Sequence, residues 1–134
     1  LQMRLAIEPQ AAALAANAQN SEAIENISIA LEKMRRAVEN GEGSMHDADL
    51  QFHTAILQAS GNRFFYQLRE FITTALNVSI QHTTPAKSNN SAIVEEHEKV
   101  YNAIAQGHAE RAKNMMTYLI DEAMTVIERE IAEA

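Results

Sequence analysis

The stretch SEAIENISIALEKMRRAVENGEG, residues 21–43, decides the fold class of this chain. Its apolar side chains recur every three or four residues, which is the spacing of one face of an α-helix. Asn20 is suited to cap the start of this helix, and Gly41 is suited to end it. The sequence therefore predicts an amphipathic helix over about residues 21–40. Its apolar stripe comprises Ile24, Ile27, Leu31, Met34 and Val38.

The same periodicity continues along the chain and predicts six helices in all. Only four glycines and two prolines occur, which favours a few long elements over many short strands. Pro9 falls inside the first helix, where either a kink or a late helix start is expected. Six amphipathic helices imply an all-α fold, an antiparallel bundle. The other five helices are expected at about 1–18, 45–60, 63–81, 91–106 and 109–131, with a loop at 82–90.

In the fourth of these helices, the apolar spacing predicts one buried stripe. It comprises Phe64, Leu68, Phe71, Ile72, Ala75 and Ser79. Thr74 and Asn77 lie on the opposite flank of the same helix. They line a pocket if this helix is central in the bundle, and they belong to a solvated face if it is not.

The composition limits the classes of function. The 134 residues are expected to form a single domain, and the absence of cysteine excludes disulfides and thiolate zinc sites. No apolar run approaches the roughly 20 residues of a membrane span, so a cytoplasmic protein is expected. The formal net charge is −7, and the tightest basic cluster, residues 33–36, is too short for a DNA footprint. This segment alone is not expected to bind DNA.

An acid and a histidine share one apolar helix face. Asp49 and His53 are four residues apart, and Ile56 and Leu57 continue the same face, so both polar side chains should point inward. A carboxylate and an imidazole at this spacing can share one metal ion. The plainer alternative is that Asp49 only orients a core histidine. Such pairs are common on helices, so the spacing leaves both interpretations open.

A second inward histidine strengthens the metal interpretation. His97 lies among Val94, Val100 and Tyr101 at helical spacing, which places it on a buried stripe. A single histidine of this kind is more often a satisfied core residue. Two histidines on separate inward faces, one of them beside an aspartate, favour a site.

An arginine lies on the apolar face of the first helix. An inward Arg4 needs an anion, because an unpaired buried charge is costly. One candidate is an internal carboxylate such as Glu8 or Asp49. The other is the carboxylate of a bound small molecule, which a guanidinium can hold with two hydrogen bonds.

These residues fall within a longer ordered pattern. It comprises Leu1-x-x-Arg4-Leu5-x-x-Glu8-Pro9, Ala11-Ala12-x-Leu14-Ala15-Ala16, Asp49-x-x-Phe52-His53, Ala59-Ser60-Gly61-Asn62, Glu96-His97, Ala103-Ile104, Gly107 and Ala112 through Met116. Taken in this order, the pattern resembles the FCD domain, the C-terminal effector-sensing domain of GntR-family regulators of the FadR subfamily. The resemblance covers essentially the whole chain, and it rests on the order of the motifs rather than on any single one.

The resemblance implies a six-helix antiparallel bundle around a central polar cavity. Many members hold a divalent metal there through an aspartate and three histidines, and a small carboxylate effector sits on the metal beside an arginine. Carried over by position, the ligands are Asp49, His53 and His97, and the arginine is Arg4. The remaining ligand position, 22 residues after His97, is Leu119, which cannot ligate. A site for a metal of the Zn, Ni or Mn type is therefore expected to be incomplete and weaker than in relatives.

The function implied by the resemblance is sensing rather than catalysis. A small organic acid would bind near Arg4 and the Asp49, His53 and His97 cluster. If the fourth helix is central in the bundle, Asn77 is expected as a further ligand-binding residue. The domain would form a homodimer, contact no membrane, and act on DNA only through an N-terminal winged helix-turn-helix that this chain lacks. One alternative is a metal-dependent enzyme with an Asp/His/His site, although no general base or nucleophile is found for it. The other is a purely structural dimerisation module.

Overall fold

The computed structural model describes residues 2–86 and 90–133, and these residues form seven helices. The all-α prediction is confirmed, and the helices assemble as an antiparallel bundle. The central polar cavity stays a prediction. The helices are α1 (Gln2–Ala18), α2 (Ser21–Asn40), α3 (Met45–Ala59), α4 (Arg63–Gln67), α5 (Arg69–Ala86), α6 (Asn90–Ala105) and α7 (Ala109–Glu133).

Helix α1 lies at the centre of the bundle, packed against α3, α5, α6 and α7. Its buried positions recur on one face of the helix. Those near the start are polar, and those farther along are mostly alanines. The alanines allow the neighbouring helices to approach closely. Pro9 is buried inside the helix, which begins at Gln2, so the late start that proline suggested is wrong. The buried residues are Arg4, Glu8, Pro9, Ala11, Ala12, Ala15 and Ala16.

The predicted boundaries of α2 and α3 are confirmed by their capping groups. The side chain of Asn20 accepts a hydrogen bond from the Ala23 amide at 3.0 Å, and the side chain of Ser44 accepts one from the Asp47 amide at 3.1 Å. Gly41 ends α2 with a φ of 66°, a left-handed conformation that glycine adopts without strain. The short turn folds α3 back onto α2.

The end of α1 is joined to the end of α6 by one side chain. Gln19 has a φ of 50°, and its Nε2 donates to the carbonyl of Ala16 at 2.7 Å and to that of Ile104 at 2.8 Å. Both carbonyls lie in the last turns of their helices, and that of Ile104 also accepts from the Gly107 amide at 3.0 Å. This contact joins the C-terminal ends of α1 and α6.

The predicted fourth helix is interrupted at Leu68. Asn62 caps α4 by accepting from the amides of Phe64 and Phe65, and Leu68 leaves the α region with a ψ of 3°. The interruption changes which residues face inward. The predicted burial of two phenylalanines is wrong, because Phe64 is 70% exposed and Phe71 is 63% exposed.

The inward positions of α5 are instead Ile72 and Leu76, which are 1% and 3% exposed. The side chain of Ser79 lies outside the described residues. Helix α5 also continues to Ala86, so the predicted loop is wrong for residues 82–86. No glycine stands in that stretch to end the helix. Residues 87–89 of the predicted loop lie outside the described residues.

Two helices bring α3 and α6 together. Both α1 and α2 pack against α3, and both also pack against α6. Side chains that point inward from α3 and α6 therefore meet between these two supports. Among the described helices, none has the combination of length and apolarity that a membrane span requires.

Candidate metal centre

Asp49, His53 and His97 meet in the bundle interior. Asp49 Oδ1 lies 3.2 Å from His53 Nε2 and 3.0 Å from His97 Nε2. One potential ligand atom of each residue lies within 4.8 Å of the others. The side chains of His53 and His97 are 1% and 3% exposed, and that of Asp49 is 13% exposed, so the group reaches solvent only at the carboxylate. The structure thus brings together the three residues that the sequence proposed as ligands.

The ring orientation of His97 is set by its own helix. Its Nδ1 lies 2.7 Å from the carbonyl oxygen of Ile93, one turn earlier in α6. A carbonyl only accepts, so Nδ1 must carry the hydrogen. In the neutral ring, the lone pair is then on Nε2, and it faces Asp49.

The ring orientation of His53 is set from a different helix. Its Nδ1 hydrogen-bonds to Glu8 Oε1, and the other oxygen of Glu8 accepts from Arg4 Nε at 2.6 Å. A carboxylate also only accepts, so the hydrogen of neutral His53 is again on Nδ1. Among the residues that the structure describes, none gives His53 Nε2 a hydrogen bond of acceptable geometry, although this atom lies 3.2 Å from Asp49 Oδ1.

These contacts make the group suitable for a cation. With both imidazoles neutral, two nitrogen lone pairs and one carboxylate oxygen converge on a single region of low solvent access. Three acceptors repel one another there unless extra protons or a metal ion lie between them. Metal-bound histidines almost always donate their other ring hydrogen to a carboxylate or a backbone carbonyl, as both do here. The residues present therefore fit a divalent metal with nitrogen and oxygen ligands.

The ring of Phe52 packs against both histidine rings and forms one wall of the group. Phe52 is fully buried, and its ring centroid lies 5.5 Å from that of His53 and 4.9 Å from that of His97. Both pairs meet edge to face, a preferred arrangement of aromatic rings. The wall restricts rotation of either ring and excludes water from one side of the group.

The electrostatics of the buried groups also favour positive charge. Burial opposes ionisation of Glu8, but His53 and Arg4 outweigh it and lower the pKa of Glu8 to about 2. Burial likewise opposes ionisation of Asp49, and the two neighbouring histidines hold its pKa well below the usual range. Burial alone would lower the pKa of His53, but Glu8 and Asp49 raise it to about 9. In the metal-free protein at neutral pH, both ring nitrogens of His53 are therefore protonated, and its positive charge offsets the negative charges of Glu8 and Asp49.

Comparison with known proteins identifies the family. The model of the FCD domain matches residues 1–122. The chain belongs to the FCD domain family.

The HTH-type transcriptional regulator LutR of Bacillus subtilis (strain 168) is 31% identical to this FCD domain over 121 residues, which are 87% of the chain and 55% of LutR. The chain thus spans about half the length of that curated relative. Among solved structures, Streptococcus agalactiae GntR matches with a TM-score of 0.77 at 21% identity, over 92% of this chain and 56% of that one. E. coli McbR/YncC matches with a TM-score of 0.78 at 16% identity, over 97% and 63%. These two likenesses show the shared fold.

The remaining residues of the predicted site have different environments. Arg4 is buried and pairs with an internal carboxylate, Glu8, which is one of the two partners that the sequence suggested. Thr74 is exposed and donates to the carbonyl of Glu70, as expected for the solvated face. Asn77 is half-buried on α5, and its role stays a prediction. Leu119 is buried on α7 at 7% exposure, within the apolar core.

One residue of the site was not predicted. The sequence suggested Glu8 only as a partner of Arg4, whereas the structure also places it against His53. A signal was present, because Glu8 follows Arg4 by one helical turn and so shares its inward face. The sequence could not show which helix that face would meet.

The metal-free FCD domain should lose stability as the solution becomes alkaline. The folded pKa of His53 is about 9 against an ordinary value of 6.5, so its contribution is complete below pH 6.5 and is lost as the pH rises through 9. Linkage puts the loss on the order of 3 kcal/mol. Glu8 acts oppositely, since its contribution is present above pH 4.5 and is lost as the pH falls through 2.

The measurement is urea unfolding of chelator-treated protein at pH 6 and pH 9.5. His53→Gln should flatten the alkaline loss, while the same change at the exposed His108 should preserve it. An undiminished loss in His53→Gln would assign the effect to another group.

Proposed function

We propose that this FCD domain is the effector-binding and dimerisation domain of a GntR-type transcriptional regulator. It senses a small organic acid at a divalent metal held by Asp49, His53 and His97. The observation that carries the proposal is the convergence of three ligand atoms within 4.8 Å of one another, with both histidine Nδ1 atoms bonded elsewhere. A structural dimerisation module needs no such group, because an apolar core of the same volume would be at least as stable.

The three ligands leave coordination positions for water and for an effector. When bound, the metal supplies positive charge and open positions that a carboxylate oxygen can occupy. Leu119, at the position of a further ligand in relatives, adds no donor, so more of the shell is left to water and effector. Arg4 contributes a second positive charge on α1, and Asn77 contributes an amide from α5. The preferred metals are of the Zn, Ni or Mn type.

The consequence of binding is a change in the arrangement of a dimer. An effector shifts such an equilibrium only by binding one arrangement more tightly than the other. Contact with DNA would need a helix-turn-helix domain, of the kind for which the relative LutR is named. The relatives are regulators, and this supports a sensing role rather than turnover of the bound acid.

Removing one ligand should empty the metal centre. His53→Ala deletes one of the two nitrogen donors, and the protein should then retain no stoichiometric Zn(II) after dialysis. The measurement is elemental analysis of purified protein after loading with Zn(II). His108→Ala, which removes an exposed imidazole, is the control and should keep the metal content of the unmodified protein. Equal metal content in both variants would mean that His53 is no ligand.

Restoring the donor that relatives have should strengthen the centre. Leu119→His places an imidazole on α7, and Zn(II) affinity should rise by at least about ten-fold as a fourth protein donor joins the set. The measurement is competition with a chromophoric chelator. Leu119→Asn, polar but without an imidazole, is the control and should show no gain. No gain in Leu119→His would mean that this position does not reach the metal.

The role of Arg4 can be tested without removing its charge. Arg4→Lys keeps a cation beside Glu8 but loses the planar fork that binds carboxylates with two hydrogen bonds. The affinity of metal-loaded protein for small carboxylates should fall about 10- to 100-fold, while the free energy of unfolding changes little. The measurement is calorimetric titration with lactate, pyruvate and malonate, with exposed Arg36→Lys as control. Unchanged affinity for whichever acid binds would make Arg4 only the partner of Glu8.

The dimer is proposed to form across an exposed apolar face of α4 and α5. Phe64, Phe71 and Val78 are 70%, 63% and 49% exposed, and Thr74 lies between the last two on the same face of α5. The chain carries a net charge of −7, so two copies repel over most of their surface. Exposed apolar side chains are where two such copies can meet, and the same patch on both satisfies a twofold axis.

A charge placed in that face should separate the subunits. Phe71→Glu puts two like charges near the proposed axis, and the dissociation constant should rise at least about ten-fold. The measurement is sedimentation equilibrium across a range of protein concentrations. Ile29→Glu, at a residue of α2 that is 41% exposed, is the matched control and should leave association unchanged. A dimer that survives Phe71→Glu but not Ile29→Glu would move the interface to α2.

A further inference from the structure

Glu8 connects two residues that the proposed function treats separately. Its Oε2 accepts from Arg4 Nε at 2.6 Å, and its Oε1 accepts from His53 Nδ1. Arg4, Glu8 and His53 are each 1% exposed, so water does not substitute for any of these contacts. Both oxygens of the carboxylate are therefore engaged, one by the arginine and one by the proposed ligand.

This contact decides which ring nitrogen of His53 is able to ligate. A neutral imidazole carries one hydrogen, on either Nδ1 or Nε2. If Nε2 carried it, the lone pair of Nδ1 would face a carboxylate oxygen, and the hydrogen would block the side of the ring that faces Asp49. Glu8 as acceptor keeps the hydrogen on Nδ1 and leaves the Nε2 lone pair directed at Asp49. A carboxylate in this position also makes the imidazole a better donor to a metal.

The two histidines differ in what holds them. His97 donates to the carbonyl of Ile93 in its own helix, a partner that any sequence provides at that spacing. His53 instead depends on one side chain from another helix, 45 residues earlier in the chain. The orientation of Glu8 depends in turn on Arg4, one turn before it in α1. The ligating form of His53 thus rests on two side chains of α1.

We propose that Glu8 is a positioning residue of the metal centre, which holds His53 in its ligating tautomer and is itself oriented by Arg4. The inference rests on the proposed metal site and adds the residues that orient one of its ligands. Helix α1 then carries the support of the centre while α3 and α6 carry the ligands. Arg4 contacts Glu8 and is also proposed to contact the effector. Binding of the metal and binding of the effector are therefore energetically linked, and each changes the affinity of the other by the same factor.

The test compares Zn(II) affinity in the unmodified domain, in Glu8→Gln and in a matched control. Glu8→Gln keeps the shape of the side chain, but its amide cannot accept from both Arg4 and His53 through equivalent oxygens. Affinity should fall 10- to 100-fold, the usual effect of losing such an outer partner. Glu32→Gln is the control, because Glu32 pairs with Arg35 and Arg36 at the surface, and it should bind Zn(II) as the unmodified domain does.

A second measurement reports the tautomer itself. In the Zn(II)-loaded domain, nitrogen NMR of the imidazoles should show His53 with hydrogen on Nδ1, and Glu8→Gln should broaden or shift that signal while the His97 signal stays. A change that only loosened the fold would move both signals alike. If Glu8→Gln is too unstable to purify, the double variant Arg4→Met/Glu8→Gln, which removes both members of the buried ion pair, replaces it.

The outcomes separate this inference from the function on which it rests. Failure of the unmodified domain to bind Zn(II) overturns both. Binding that His53→Ala abolishes, but that Glu8→Gln leaves equal in affinity and in His53 signal, overturns the positioning role alone. Loss of affinity together with a changed His53 signal, against an unchanged Glu32→Gln, supports it.

Discussion

The structure depends on a buried chain of polar contacts that crosses three helices. It runs from Arg4 to Glu8, then to His53, Asp49 and His97, and each member contacts the next. Removing one partner of a buried ion pair costs several kcal/mol, so Arg4 and Glu8 depend on each other. The chain therefore ties α1 to α3 and α3 to α6 in one register. Apolar packing alone would allow more sliding between alanine-rich surfaces.

The middle of that chain, His53 and Asp49, contributes to stability and also supplies two of the proposed metal ligands. In the metal-free protein, the positive charge of protonated His53 stabilises the two carboxylates beside it, those of Glu8 and Asp49. A divalent cation between Asp49 and the histidines would do the same with more charge and without a hydrogen on Nε2. Metal binding and proton release are then the same event at this position, because a ligating histidine must be neutral. In either case, a positive charge beside Asp49 stabilises the interior, whether a proton or a metal ion supplies it.

Much of this arrangement was predictable because its causes are local. The caps at Asn20 and Ser44 and the left-handed Gly41 depend on neighbouring residues, so the sequence predicts the limits of α2 and α3. The inward direction of Asp49 and His53 follows from helical spacing for the same reason. These features would be the same in almost any bundle that contained the segments.

The errors arose at a break in a helix and at a contact between distant segments. Phe64 and Phe71 fit a buried stripe only if one helix runs through Leu68, and the interruption there turns both rings outward. The contact of Glu8 with His53 depends on how α1 packs against α3, which no local pattern encodes. Tertiary packing decided the second case.

The incomplete ligand set bears on how a site of this kind would sense rather than react. Leu119 places an apolar side chain in the core of α7, the helix that packs most extensively against α1. If the proposed metal is held by three protein donors, a bound effector would supply more of its coordination shell than it would where a further histidine is present. Its binding free energy would then depend more steeply on whether α1, α3 and α6 are in register. Under the proposed function, a ligand bound in this way would favour one arrangement of the bundle over another, and only such a preference lets binding alter the arrangement of a dimer.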